Sequence, residues 1–371
     1  MIERNVLDPW RPYSFFVEPE VGADGRTVPV ATVLLTNREC PYQCVMCDLW
    51  RNTLEETAPP GAIPAQIRFA LDRLPPAPVL KLYNAGSFFD PRAIPSAEDP
   101  VIADLCAGFE RVVVECHPAL IGAEAGRTSG FQGSRVPGRQ DADVPGEVLD
   151  AGRQDAGVPG EVLDAGRQDA GVSGKGGTAG LPAGERWIRF AHLLEQRGVR
   201  LEVALGLETA HSEVLERLNK RMTLQQFRTA AKRLDEAGCD LRVFLLVRPP
   251  WLTEAEGVEW GCRSLDFAFD CGASVCSLCP TRGDTRSMEA LSAAGAWSPP
   301  ELASVEAVQE YGLFLHRGRV FTDLWEIERF TTCPECSPLR IARLRAMNET
   351  QTAPPAVVCR CTTRAAPASG A

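Results

Sequence analysis

The chain has 371 residues, 44% of them hydrophobic, and a formal net charge of −10 from 39 basic and 49 acidic residues. This length suits one large domain with an extension, or two domains. The acidic balance argues against sequence-independent binding to bulk nucleic acid, which needs a large basic field, but leaves open a local basic groove for one RNA. No apolar run reaches the roughly 20 residues that span a bilayer, and no signal-peptide core opens the sequence. We therefore expect a cytoplasmic protein that contacts no membrane.

Strand-like and helix-like segments alternate along the chain, which predicts a parallel sheet built from βα units. The predicted strands are Val28–Leu35, Val79–Tyr83, Arg111–Glu115, Leu201–Leu205, Leu241–Val247 and Ala273–Leu278. Six such units predict an α/β fold with an incomplete, TIM-like (β/α)6 barrel rather than the closed barrel of eight. We expect residues 1–27 to form an N-terminal extension, 28–300 the core barrel, and 301–371 a C-terminal helix with a small Cys-rich tail.

The alternation stops between residues 122 and 184. Here Gly138-Arg139-Gln140-Asp141-Ala142 recurs at Gly152 and again at Gly166, a period of 14 residues. A unit this short, rich in glycine and proline, cannot bury a continuous apolar face, so we predict a disordered low-complexity insert inside the core. A stacked solenoid is the alternative, but it needs longer units.

Three cysteines, Cys40, Cys44 and Cys47, follow the first predicted strand at x3 and x2 spacing. Cysteines of a cytosolic chain are normally reduced, so clusters of them indicate metal ligands rather than disulfides. Thiolates hold iron–sulfur clusters, usually one cysteine per iron. Three cysteines would leave one iron of a [4Fe–4S] cluster open to a ligand that is not protein. The alternative is a zinc knuckle or reduced structural thiols, but no fourth Cys or His lies nearby to close a tetrahedral site.

This cysteine spacing after a first strand resembles the signature of the radical S-adenosylmethionine (radical SAM) enzymes. The resemblance implies that the open iron chelates the amino and carboxylate groups of SAM. It also implies a one-electron donor, such as a ferredoxin or flavodoxin, whose electron breaks the sulfonium bond and gives a 5′-deoxyadenosyl radical. Most family members carry an aromatic residue just before the third cysteine, where this sequence has Met46.

Candidate ligand-binding residues stand at the ends of the predicted strands, where βα barrels build their active sites. Asn84, Gly86 and Ser87 follow the second strand, and this turn resembles the one that meets the SAM amino group in the radical SAM family. Glu115 ends the third strand and could bond a ribose hydroxyl or the SAM ammonium. Glu208 follows the fourth strand, where an acid without a partner would be costly to bury. The alternatives are an ordinary tight turn and strand-end charges.

Other polar residues at strand ends have a weaker case. Arg248 could bind a carboxylate or phosphate bidentately, or pair with Glu208. We interpret His117 and His211 as structural or solvent-facing, and Cys276 as a core residue.

The tail predicts a second metal site. Cys333 and Cys336 form a Cys-x2-Cys knuckle, and Cys359 and Cys361 form a second close pair. Four thiolates are the number for a closed structural Zn²⁺ site or for an auxiliary cluster, and we favour zinc. The alternative is a set of flexible reduced thiols.

Several phrases resemble the radical SAM subunit of archaeosine synthase and the radical SAM core of the elongator catalytic subunit. They are Cys40-Pro41-Tyr42-Gln43-Cys44-Val45-Met46-Cys47-Asp48-Leu49-Trp50, Leu82-Tyr83-Asn84-Ala85-Gly86-Ser87-Phe88-Phe89-Asp90, Gly206-Leu207-Glu208-Thr209-Ala210 with Leu218-Asn219-Lys220-Arg221-Met222-Thr223, and Pro249-Pro250-Trp251-Leu252-Thr253-Glu254. The resemblance implies modification of tRNA or another nucleoside. The alternatives are radical SAM chemistry on a small molecule or peptide, and a non-catalytic zinc-binding interaction protein.

Overall fold

A computed structural model describes residues 4–122 and 185–361, all within one compact unit. These residues form a single sheet of eight strands that neighbour one another in chain order. The strands are β1 (Ser14–Val21), β2 (Thr27–Leu35), β3 (Val79–Asn84), β4 (Arg111–Cys116), β5 (Arg200–Glu208), β6 (Asp240–Val247), β7 (Val275–Pro280) and β8 (Arg319–Thr322). β1 is antiparallel to β2, and every later neighbouring pair is parallel.

Helices connect the parallel strands, as expected for βα units. Within the described ranges they are α1 (Ala62–Leu71), α2 (Asp99–Cys106), α3 (Pro118–Gly122), α4 (Arg186–Glu195), α5 (Ser212–Arg217), α6 (Leu224–Glu236), α7 (Glu254–Asp270), α8 (Arg286–Ala293), α9 (Leu302–Phe314) and α10 (Ser337–Thr350). None of these helices is long and apolar enough to cross a bilayer.

The core lies between the sheet and these helices. Alternate residues of the strands, such as Leu82, Val203 and Val243, are fully buried in one apolar cluster with helix residues that include Ile67 and Phe227. The intervening strand residues face the other side of the sheet, because side chains alternate along a strand. Several of these are charged.

The charged face shows that the sheet curls on itself. Glu20 of β1 pairs with Lys81 of β3 at 2.7 Å and with Arg242 of β6 at 2.6 Å. Its carboxylate also lies 3.8 Å from Arg319 of β8. The first and last strands therefore approach each other across the concave face, although no β1–β8 pairing is present among the described strands. The α/β fold with an incomplete barrel is confirmed.

The six predicted strands are present as β2 to β7, and the structure adds β1 and β8 outside residues 28–300. The predicted 122–184 insert lies outside the described residues, apart from Gly122 at the end of α3. The carboxyl ends of β2 to β7 carry the loops with the candidate site residues.

Candidate functional site

The loop that carries Cys40, Cys44 and Cys47 leaves the carboxyl end of β2. It is fastened through Val45, whose N–H donates to the Leu218 carbonyl at 3.0 Å and whose carbonyl accepts from the Thr285 hydroxyl at 2.8 Å. Leu218 stands at the end of α5, which follows β5, and Thr285 caps the start of α8, which follows β7. The cysteine loop is thus held from the far side of the barrel mouth.

The tip of this loop is held by one amide side chain. Asn219 donates from Nδ2 to the carbonyls of Tyr42 and Gln43, at 3.1 and 3.0 Å. Gln43 has a positive φ of 50°, a conformation that costs a non-glycine residue free energy and needs such support.

The three thiols lie close enough to interact electrostatically. Burial raises the pKa of Cys40 to about 11 and that of Cys47 to about 12, and it also raises the pKa of Cys44. Without a bound cation these cysteines are therefore protonated thiols near neutral pH. A metal centre would displace the protons, because only thiolates act as ligands.

His117 supports the loop from beneath. Its ring stacks on Tyr42 with centroids 3.6 Å apart and planes 8° from parallel. Its Nε2 lies 2.8 Å from the Lys220 carbonyl, and its backbone N–H donates to the Ser87 hydroxyl at 2.9 Å. Burial lowers the pKa of His117 to about 3, so the ring is neutral. These packing contacts agree with the structural interpretation of His117.

The turn after β3 lies against the first cysteine. A Cβ on Gly86 would lie 3.5 Å from Cys40 Cβ, 3.6 Å from Asn84 Nδ2 and 3.7 Å from Asn37 Nδ2. Asn84 is fully buried, yet neither Nδ2 nor Oδ1 of its side-chain amide has a hydrogen-bond partner. Asn37 Oδ1 also lacks one. Buried polar groups are almost always paired, so these atoms indicate a place for a polar ligand or water beside Cys40.

Glu115 belongs to the same group. Its Oε1 accepts from the Asn84 backbone N–H at 2.5 Å. Burial raises the pKa of Glu115 to about 8, and this backbone hydrogen bond only partly opposes the effect. The carboxyl therefore holds a proton at neutral pH, which lets it donate one hydrogen bond while it accepts another.

Glu208, at the end of β5, lies close enough to Cys44 to interact with it electrostatically. Its Oε1 accepts from Lys220 Nζ at 2.7 Å, and both side chains are about nine-tenths buried. Arg248, the partner considered from the sequence, instead pairs with Glu254 at 2.6 Å and donates to the Pro299 carbonyl at 2.8 Å. The Arg248–Glu208 pairing is wrong, because Arg248 packs against α7 and pairs with its first residue, Glu254.

Two residues at this mouth were not predicted. Lys220 interacts electrostatically with Cys44 and Cys40 as well as with Glu208. Tyr13, just before β1, lies near Glu115 and Cys47, and burial raises the pKa of its hydroxyl above the usual range. Lys220 stands inside a phrase that the sequence did single out, whereas no sequence signal pointed to Tyr13.

The tail cysteines form a much tighter group. The Sγ atoms of Cys333, Cys336, Cys359 and Cys361 all lie within 4.8 Å of one another. Cys333 Sγ is 3.9 Å from Cys359 Sγ, and Cys336 Sγ is 3.4 Å from Cys361 Sγ. A tetrahedral zinc ion with Zn–S bonds of about 2.3 Å places its sulfur ligands about 3.8 Å apart, so the group fits a single tetrahedral ion.

The backbone and a cation support this tail group. The N–H groups of Cys336 and Glu335 lower the pKa of Cys333 to about 7. Arg340 hydrogen-bonds Cys336, pairs with Glu306 of α9 and donates to the Val357 carbonyl at 3.2 Å. The tail is thereby joined to a helix that packs on the barrel.

No family model matches the chain. It is 33% identical over 106 residues to archaeosine synthase subunit beta of Methanosarcina acetivorans, which covers 28% of this chain and 30% of that protein. The same-named protein of Thermococcus kodakarensis is 42% identical over 59 residues, 16% of this chain and 18% of that one. An uncharacterized protein of Methanocaldococcus jannaschii is 20% identical over 318 residues, 82% of this chain and 70% of that protein. The matches to the two archaeosine synthase beta subunits thus span less than a third of this chain and less than a third of each of those proteins.

Among solved structures, Methanocaldococcus infernus Elp3 is similar with a TM-score of 0.42 and 11% identity, over 70% of this chain and 51% of that one. Methylornithine synthase has a TM-score of 0.43 and 8% identity, over 78% and 64%. Neither score reaches 0.5, so both likenesses are partial. Through its cysteine loop and its matches to the two named relatives, the chain resembles the radical SAM superfamily and, within it, the archaeosine synthase beta subunits.

Proposed function

We propose that this protein is a radical SAM enzyme in which Cys40, Cys44 and Cys47 hold a [4Fe–4S] cluster and SAM completes the coordination of the fourth iron. The single observation that carries the proposal is the position of Asn84. A fully buried amide with no partner at either polar atom lies beside Gly86 and Cys40. An unpaired buried polar group costs about 1–3 kcal/mol, which a polar ligand at this place would recover.

The surrounding residues fit the parts of SAM. Asn84 and the close-approach turn at Gly86 and Ser87 would receive its polar amino-acid end, next to the cluster ligand Cys40. Glu115, which carries a proton near neutral pH, can donate to one ligand oxygen and accept from another, as a ribose requires. Glu208 is the fifth proposed contact, and its charge is balanced by Lys220.

When bound, a reduced [4Fe–4S] cluster with SAM supplies a 5′-deoxyadenosyl radical that can take a hydrogen atom from a substrate. The chain's own contribution is to hold the ligands in place and to keep water from the radical. The cysteine loop is held by the stack of Tyr42 on His117 and by the hydrogen bonds of Asn219 and Val45. A one-electron donor such as a ferredoxin or flavodoxin would supply the electron.

For the substrate, we propose a tRNA or another nucleoside. The support is the sequence match to two archaeosine synthase beta subunits, each over part of its length. A small molecule or peptide is the alternative within the same chemistry. Profiling of modified nucleosides in a strain that lacks the protein separates the two, because a missing tRNA nucleoside supports the first and an unchanged profile supports the second.

For the tail, we propose a structural Zn²⁺ held by Cys333, Cys336, Cys359 and Cys361. The four sulfur atoms are as close as a single tetrahedral ion requires, whereas a four-iron cluster needs its ligands farther apart because each binds a different iron.

The proposal is tested by anaerobic reconstitution with iron and sulfide, followed by a SAM-cleavage assay. We expect iron–sulfur absorbance and 5′-deoxyadenosine from the wild type, and neither from Cys44→Ala. Cys262→Ala, a free and half-buried cysteine on α7, is the matched control and should keep both. A protein that holds zinc but no acid-labile sulfide would instead support the non-catalytic zinc-binding alternative.

A further inference from the structure

A buried ammonium group, that of Lys220, lies at the barrel mouth near Cys40 and Cys44. Only 11% of the Lys220 side chain is exposed, and its Nζ donates to Glu208 Oε1 at 2.7 Å. Burying a charge is costly unless it is paired. Such a pair at a barrel mouth therefore needs a local structure that can accommodate it.

The backbone of β5 provides that structure. A Cβ on Gly206 would lie 2.5 Å from both Lys220 Nζ and Glu208 Oε1, which is far inside any permitted contact. Glu208 itself has a positive φ of 67° at a register shift between Gly206 and Glu208. The strand is thus bulged, and it lacks a side chain where the ion pair lies, so any larger residue at 206 would displace the pair.

The pair is not electrically neutral toward the cysteines. Lys220 interacts with Cys44 and Cys40 as well as with Glu208. At Cys44 the positive charge of Lys220 has the larger electrostatic effect, and the negative charge of Glu208 has a smaller effect of opposite sign. The positive charge of Lys220 therefore outweighs the negative charge of Glu208 at the second cysteine.

Lys220 is also fixed to the cysteine loop through its backbone. Its carbonyl lies 2.8 Å from His117 Nε2, and the His117 ring stacks on Tyr42 between Cys40 and Cys44. The neighbouring Asn219 holds the Tyr42 and Gln43 carbonyls. The backbone of residues 219 and 220 is therefore held against the cysteine loop.

We propose that Lys220 is a positioning residue that sets a fixed positive charge beside the Cys44 and Cys40 thiolates and thereby makes one-electron reduction of the cluster more favourable. The inference rests on the proposed function. Adding an electron to a centre that already carries three thiolates increases its negative charge, and a nearby desolvated cation offsets that cost. Glu208 limits the effect and keeps the ammonium in place.

The test is a potentiometric titration of the reconstituted cluster without SAM, with dithionite as reductant and electron paramagnetic resonance as readout. In Lys220→Met we expect a midpoint potential at least about 59 mV more negative, a tenfold change in the ratio of reduced to oxidised cluster for one electron. Lys220→Arg, which keeps the charge, should stay close to the wild type. Glu208→Gln should shift the potential in the positive direction.

Lys81→Met is the matched control, because Lys81 is also a buried lysine paired with glutamates, at 2.7 and 3.0 Å, but on the floor of the barrel. It should lower stability without moving the potential. An unchanged potential in iron-loaded Lys220→Met overturns the inference and leaves the proposed function standing. If that variant fails to bind iron, an unshifted potential in Glu208→Gln overturns it instead. A wild type without iron overturns the proposed function itself, and this inference with it.

Discussion

The two cysteine groups differ in number, spacing and surroundings. The sulfur atoms of the four tail cysteines all lie within 4.8 Å of one another. Among the described residues, the sulfur atoms of the three loop cysteines do not form a group this close. The tail group is braced by Arg340 and backbone N–H groups. The loop group instead adjoins buried polar atoms of Asn84 and Asn37 that lack partners.

The contrast separates two uses of the same ligand. A group that is complete and tightly spaced can bind one ion and stabilise the fold, as structural zinc sites do. A group that is one thiolate short, beside unsatisfied polar atoms, has room for a further ligand. We therefore expect the two groups to respond differently to substitution.

The largest expected effect is selective metal loss. Cys44→Ala should remove the iron and acid-labile sulfide but keep the zinc. Cys336→Ala should remove the zinc but keep the iron, because the two sites have no ligand in common. Elemental analysis of anaerobically purified protein measures both metals. Loss of both metals from either variant would show that the two groups are not independent.

The tail should also respond to chelation as a structural site. Removing zinc is expected to free residues 351–361 for proteolysis while the barrel stays folded, because Arg340 and Glu306 still join α10 to α9. Limited proteolysis with mass spectrometry, with and without a zinc chelator, measures this. Cleavage within the barrel strands after chelation would contradict a local role.

Asn84 and Asn219 offer a comparison of ligand binding with stability. Asn84→Ala removes a side-chain amide that has no partner in the ligand-free protein, so it should weaken SAM binding about tenfold, or about 1.4 kcal/mol, without a loss of stability. Asn219→Ala breaks two hydrogen bonds to the loop and should cost about 1–3 kcal/mol of unfolding free energy. Calorimetric SAM titration and urea unfolding measure the two effects. Equal SAM affinity in Asn84→Ala and wild type would remove the main support for the proposed site.

A last expected effect is a pH dependence from His117. Burial lowers its pKa to about 3 in the folded state, so below the unfolded value of about 6.5 only the unfolded chain takes up the proton. Stability contributed by the neutral ring is therefore lost as the pH falls from about 6.5 toward 3, by about 1.4 kcal/mol per pH unit. Urea unfolding between pH 7 and 5 should show a flatter dependence in His117→Asn. Parallel curves for the two proteins would contradict a buried neutral His117.

Local patterns in the sequence predicted β2 to β7 and the cysteine loop after β2, because each of these features depends on residues that are close together in the chain. β1 was missed because its Glu18 and Glu20 do not look like strand residues. They are accommodated by Lys81, Arg242 and Arg319 from other strands. β8 has four residues, too few for a clear pattern.

The site was predicted in the same uneven way. Asn84, Gly86 and Glu115 were predicted because they stand at or just after strand ends. The structure places Glu115 in hydrogen-bond contact with Asn84, and Gly86 between Asn84 and Cys40. The partner of Glu208 was not found, since Lys220 reaches it through a bulge and a missing side chain at Gly206. Such pairings depend on tertiary geometry, which no sequence spacing encodes.

The most direct test of the central claim uses protein in which Cys336 and Cys361 are both replaced by alanine, so that any iron–sulfur signal comes from the loop. Its reduced electron paramagnetic resonance spectrum is recorded with and without SAM. We predict one [4Fe–4S] signal per chain that changes when SAM is added, because one iron lacks a protein ligand. A chain that binds no iron, or a signal that SAM leaves unchanged, would contradict the account.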